Sequence, residues 1–122
     1  MAKQILSHIE GLYSVLADAK RLRILAMLLD RSLCVCELAQ ILGITAPSVS
    51  RHLKKMKVFG LLTDEQDGYW TVYSAAKHLD AQTAAIVAQS VAATAADVTV
   101  REDAKKAAKS DRACACACVE KR

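Results

Sequence analysis

The chain has 122 residues, 53% of them apolar and only 4% aromatic, and a formal charge of +4. That length holds one domain with a modest aliphatic core, and no apolar run approaches the ~20 residues that cross a bilayer. No basic-then-apolar leader opens the sequence, so a cytoplasmic location with reduced thiols and no membrane partner is expected.

Ile5, Ile9, Leu12 and Leu16 recur at helical spacing and predict a first amphipathic helix, with Gly11 inside it at some cost in propensity. Asp18 is placed to cap a second helix over about 19–29, whose apolar residues cover much of its circumference and make it the expected most buried helix. Val35, Leu38, Ala39 and Leu42 share one face of a short third helix, which Gly43 stops at a C-cap position. Thr45 caps a fourth helix, and Pro47 fits its first turn. A short helix, a glycine turn and a second helix make a helix-turn-helix.

The fourth helix has two faces. Val49, Leu53 and Met56 point inward, while Ser48, Arg51, His52 and Lys55 share the polar side. Between Thr45 and Phe59, Arg51, Lys54, Lys55 and Lys57 stand without an acid, which is the electrostatic footprint of a phosphate-facing surface. Ser48, Ser50, Arg51, His52 and Lys55 are therefore the expected groove-facing set, with Lys54 and Lys57 on the backbone; arginine or lysine reads guanine there.

Residues 61–65 and 69–74 read as two strands joined through Asp67-Gly68, a hairpin that comes after the reading helix as a wing. A last amphipathic helix starts near His78 and carries Leu79, Thr83, Ile86, Val87 and Val91. Beyond about Ala95 the core pattern fades. The expected organisation is a DNA-binding and dimerisation domain over 1–95 and an alanine- and lysine-rich, cysteine-containing mobile tail over 96–122.

The five cysteines fall in two clusters, Cys34 and Cys36, then Cys114, Cys116 and Cys118, none of them in the expected core. An odd count in two clusters argues against a disulfide framework and for ligands or redox groups. Cys34 holds the N-cap position of the third helix and Glu37 completes a capping-box spacing. Both sulfurs then lie at the positive end of the helix dipole, where thiolate is favoured, and thiolate is the form that binds soft metals and arsenic(III). Two residues on an ideal helix are about 200° apart, so joint ligation requires a non-helical or opened first turn. Arsenic(III) prefers three sulfurs, and the tail is the only other source; a flexible link from Ala95 to Cys114 would span about 25 Å. Four sulfurs would instead suit cadmium or zinc. A thiol redox or metal-carrier protein is the alternative from another class, but it leaves the basic helix without a purpose. No nucleophile elbow, glycine-rich phosphate loop or paired-carboxylate cleft is present, so no enzyme is expected.

The strings Leu33-Cys34-Val35-Cys36-Glu37-Leu38, Ser48-Val49-Ser50-Arg51-His52-Leu53 and Gly68-Tyr69-Trp70-Thr71-Val72-Tyr73 resemble the ArsR/SmtB family of metal-sensing repressors over roughly residues 12–79. The likeness is greatest to the arsenite- and antimonite-responsive branch. It implies a mainly α, homodimeric winged helix-turn-helix that binds an inverted-repeat operator in double-stranded DNA and leaves when an inducer binds: arsenite or antimonite, or else cadmium, lead or zinc. Two departures stand out. The wing carries Asp64, Glu65 and Asp67 where the family usually has bases, so phosphate should repel it. Only His78 and Asp80 stand where some relatives pair Asp and His ligands for zinc, so that site is expected to be absent.

Overall fold

Helix α1 (Ile5–Leu16) buries Leu12, Val15 and Leu16 on one face and leaves Ile5, Leu6 and Tyr13 exposed on the other. The computed structural model describes residues 4–112. Gly11 faces the Phe59 ring so closely that a Cβ there would lie 2.4 Å from Phe59 Cζ. Its absent side chain admits the end of a later helix, which offsets the propensity it costs. Asp18 caps α2 (Ala19–Asp30) by accepting the Arg21 N–H. Ile24, Leu25, Met27 and Leu28 of α2 are buried, but Leu29 is exposed, so α2 is not enclosed all round. The more thoroughly enclosed helix is the short α3 (Val35–Leu42), with Glu37, Leu38, Ala39, Ile41 and Leu42 all buried.

Gly43 ends α3 with φ +70°, a left-handed conformation that suits glycine and turns the chain at once toward the next helix. The Thr45 hydroxyl accepts the Ser48 N–H at 3.3 Å and starts α4 (Ala46–Val58), with Pro47 in the first turn. Val49, Leu53 and Met56 lie buried against α3 and α2, as the apolar face of α4 predicts.

The sheet differs from a simple hairpin. Strands β2 (Leu62–Asp67) and β3 (Trp70–Ala75) pair antiparallel with Asp67 opposite Trp70, so the turn is Gly68-Tyr69, one residue later than expected. A third strand, β1 (Leu33–Cys34), pairs antiparallel with β3, giving the order β1-β3-β2. Two residues are too short for any alternation to announce a strand, and β1 overlaps the N-cap of α3.

Asp80 caps α5 (Ala81–Thr94), and Asp97 caps a further helix, α6 (Val98–Ala108). The expected fading of the core near residue 95 does not hold for α6, which packs on α2 and α3. Ala107 joins the main core, and Asp103, 2% exposed, meets Arg23 of α2 through two hydrogen bonds, Nε to Oδ2 at 2.7 Å and Nη2 to Oδ1 at 3.0 Å. A charged, alanine-spaced stretch looks solvated until its one buried carboxylate finds a partner from a distant helix. Among the described residues no single helix is long and apolar enough to cross a membrane.

Candidate nucleic-acid interface and thiol site

On α4, Ser50, Arg51, Lys54, Lys55 and Lys57 are exposed, and Ser48 and His52 are half-buried. Arg51 Nη2 donates to Ser48 Oγ at 3.0 Å, and the Thr45 hydroxyl donates to the same oxygen at 3.0 Å, so the cap and the start of the polar face form one network. Two of the expected contact residues are held by neighbours outside α4. Lys57 Nζ bonds Asp64 Oδ2 on the wing at 2.7 Å, a bond that raises the lysine pKa. His52 Nδ1 accepts from Arg21 Nε of α2 at 3.2 Å. An arginine N–H only donates, so Nδ1 carries a lone pair and the neutral ring holds its proton on Nε2. Burial lowers the His52 pKa; the charges of Arg21, Lys20 and Lys55 lower it further, and Asp18 opposes them. His52 is thus a neutral Nε2–H donor positioned by α2, and no local pattern singles out Arg21, which positions it.

The acidic wing is less repulsive than its sequence implies. Asp64 is paired with Lys57, and Asp67 with Arg112, whose Nη1 lies 2.6 Å from Asp67 Oδ2; Glu65 stays exposed. Tyr69 at the turn is 97% exposed.

The paired cysteines sit at the junction of sheet and helix. Cys34 is the N-cap of α3 with an extended backbone, φ −91° and ψ 169°, and opposes Val72 of β3. Contrary to the expectation that no cysteine lies in the core, Cys34 is 2% exposed, where β1 pairs with β3 and leads into α3; Cys36, in the first turn of α3, is half-buried. The helical step of 100° per residue therefore begins only after Cys34, so the pair does not have the fixed 200° divergence of two residues within a helix. Glu37 Oε1 accepts the Cys34 N–H at 3.0 Å, completing the expected capping box. Glu37 is itself buried and pairs with Arg112, whose Nε is 3.6 Å away. The hydrogen bond to Asp67 raises the Arg112 pKa; burial opposes it, and the charges of Glu37, Asp67 and Cys34 add to the rise. Among the described residues no group of three His, Cys, Asp or Glu side chains stands ready to hold a metal. Cys34 and Cys36 supply two soft donors that fit a thiophilic ion in kind but not in number. Cys114, Cys116 and Cys118 lie outside the described residues. His78 is exposed, and Asp80 serves as the cap of α5 by accepting the Thr83 N–H at 3.2 Å.

Scaffold helix, tight turn, basic reading helix and wing define a winged helix-turn-helix DNA-binding protein, with a thiol pair at the head of the scaffold helix. Residues 18–64 match the bacterial regulatory proteins of the arsR family. The chain is similar to the arsenical resistance operon repressors of Escherichia coli, 39% identical over 77 residues (62% of this chain, 66% of the relative), and of Bacillus subtilis, 38% over 71 residues (57% and 68%). It is also similar to the cadmium resistance transcriptional regulatory protein CadC of Listeria innocua, 32% over 66 residues (53% and 56%). The chain thus spans about half to two thirds of the length of these relatives. Among solved structures, the homodimeric winged helix-turn-helix DNA-binding domain of Mb0332 from Mycobacterium bovis superposes with a TM-score of 0.64 at 22% identity, over 79% of this chain and 86% of that one, a likeness of fold. The chain belongs to the arsR family of bacterial regulatory proteins.

Proposed function

We propose that this arsR-family regulator is a homodimeric repressor that binds an inverted-repeat operator in double-stranded DNA and releases it when arsenite or antimonite is taken up by Cys34 and Cys36. The observation that carries the reading is the position of the thiol pair: Cys34 caps the helix that leads through Gly43 directly into the reading helix. Ser48, Ser50, Arg51, His52 and Lys55 face the operator, and Lys54 and Lys57 serve the backbone. Exposed Ile5, Leu6 and Tyr13 on α1, together with α5, form the dimer face. A third sulfur comes from Cys114, Cys116 or Cys118.

Cys34 belongs to two elements at once. Moving its sulfur disturbs the first turn of α3, where Glu37 holds the Cys34 amide, and the pairing of β1 with β3 of the wing. Both disturbances reach DNA-facing parts, one through Gly43 to α4 and one through the sheet. Turning a mostly bound dimer into a mostly free one requires about 10⁴-fold preference of the inducer for the released state, about 5.5 kcal/mol.

A second reading keeps this architecture and makes cadmium, lead or zinc the inducer. The likeness to a cadmium resistance regulator and the surplus of thiols favour it. One experiment separates the readings: fluorescence anisotropy of a labelled inverted-repeat duplex with the full-length protein, titrated with arsenite, antimonite, cadmium, lead and zinc. Arsenite should release the wild type, while Cys34→Ser/Cys36→Ser should bind the duplex and fail to release it. Equal release from that double variant removes the thiol sensor. Release by cadmium alone selects the second reading.

A further inference from the structure

The wing tip is braced from within. Asp67 and Trp70 form the last pair of the β2–β3 ladder, Gln66 Nε2 donates to the Gly68 carbonyl at 3.2 Å, and Thr71 Oγ1 donates to Gln66 Oε1 at 3.0 Å. Those bonds all lie inside the hairpin, so they stiffen the tip without setting where it points. Strand β1 pairs with β3 nearer the root, at Val72 and Tyr73.

One side chain from outside the sheet grips the tip. Arg112 Nη1 donates to Asp67 Oδ2 at 2.6 Å, and its Cζ lies 5.8 Å from the centre of the Trp70 ring. The same guanidinium is anchored at the head of α3, where its Nε lies 3.6 Å from Glu37 Oε1, the oxygen that accepts the Cys34 N–H. Glu37 is 4% exposed, and a carboxylate so enclosed holds its cation because a lone buried charge is costly. The stem behind Arg112 is fixed as well. Helix α6 is fastened by Arg23–Asp103, by Ala107 in the core, and by Arg31 Nη1 donating to the Ala107 carbonyl at 3.4 Å. An isolated exposed ion pair contributes little, because two side chains must be ordered to make it. Here Glu37 and α6 already order the guanidinium, and only the short Asp67 side chain remains to be fixed.

We infer that Arg112 positions the wing for DNA: it fastens the hairpin tip to the head of the scaffold helix and holds it in one orientation beside the reading helix. This rests on the proposal that the protein binds double-stranded DNA. It goes further in assigning the setting of the wing to a residue that lies outside the winged helix-turn-helix. A wing free to swing loses orientational freedom when it docks, and holding it beforehand lowers that cost. The same contact makes an acidic wing tolerable next to phosphate. With Lys57 on Asp64 and Arg112 on Asp67, Glu65 alone of the three wing acids has no ion pair among the described residues.

Trp70 is the single tryptophan of the chain, so its fluorescence reports the clasp in full-length protein without DNA. Acrylamide quenching should rise about two- to threefold in Arg112→Ala and stay near the wild-type value in Arg112→Lys. Affinity is read by anisotropy of a labelled duplex that the wild type selects from a random-sequence pool. Arg112→Ala should weaken it about five- to tenfold, and Arg112→Lys should retain most of it. Asp67→Asn separates position from charge. It removes an acid from the wing, yet it should weaken binding about threefold, because the tip is released. Asp67 is exposed, so this variant keeps the fold even where loss of Arg112 disturbs Glu37. Tighter binding by Asp67→Asn, equal affinity of Arg112→Ala, or unchanged quenching in Arg112→Ala overturns the inference. A wild type that selects no duplex sinks the operator proposal and this inference together, whereas a wild type matched by Arg112→Ala sinks this inference alone.

Discussion

Removing the Asp103 carboxylate tests whether α6 is part of the folded unit. Asp103 is 2% exposed and Arg23 is 22% exposed at the side chain, and the two meet through a forked pair of hydrogen bonds at 2.7 and 3.0 Å. Deleting one member of a buried ion pair costs about 3–5 kcal/mol, because the other charge is left uncompensated. Arg23 retains part of its hydration, which brings the expected cost of Asp103→Ala to about 2–3 kcal/mol. Asp103→Asn preserves the shape and one acceptor and should cost less. Replacing both partners by Arg23→Met/Asp103→Leu should come within about 1 kcal/mol of the wild type, since no orphaned charge remains. Urea unfolding at one fixed protein concentration measures the differences, as an assembling protein changes its apparent stability with concentration. Hydrogen exchange of the α6 amides locates them. If Asp103→Ala unfolds within about 0.5 kcal/mol of the wild type and the α6 amides exchange no faster, the ion pair does not fasten α6.

Gly11→Ala should destabilise the chain by about 1–3 kcal/mol in the same unfolding assay, although alanine is the better helix former, because its Cβ meets Phe59 Cζ at 2.4 Å and Cε1 at 2.8 Å. Adding Phe59→Leu should recover part of the loss; a stabilised Gly11→Ala would show that the ring yields freely. His52 should titrate, by its ring-proton NMR signals, below the ordinary histidine value of about 6.5, since burial disfavours its charged form. A depressed folded-state value means that its contribution to stability is present above the unfolded pKa and lost as pH falls through the folded one. Once protonated, Nδ1–H confronts Arg21 Nε–H and the contact breaks. Arg21→Ala should move the midpoint upward, and a wild-type midpoint at or above about 6.5 contradicts this account.

Local chemistry made most of the architecture legible. Asp18, Thr45 and the Cys34/Glu37 box each announce a helix start, because a cap is satisfied by residues within four positions. Gly43 announces the turn because its requirement is its own backbone angle. The inward face of α4 follows from periodicity alone. The positions of the thiols at a helix start were legible for the same reason.

Contacts between residues far apart in the chain were not. No pattern in Leu33-Cys34 says that Val72 and Tyr73 will pair with it, so the burial of Cys34 escaped the sequence. The alanine-spaced stretch over residues 98–108 carries too little apolar surface to show a core face, and its docking depends on Arg23, eighty positions away from Asp103. Arg21 beside His52, and Arg112 between Glu37 and Asp67, are likewise matches of charge and hydrogen bond across the fold. What the amino-acid order determined by itself were helices α1 to α5, the caps of α2, α3 and α4, the buried face of α4 and the place of the thiol pair at a helix start, because each depends on neighbours a turn or two apart. What only the tertiary structure decided was which charges meet, because a buried ion pair forms where folding brings two distant side chains out of water together.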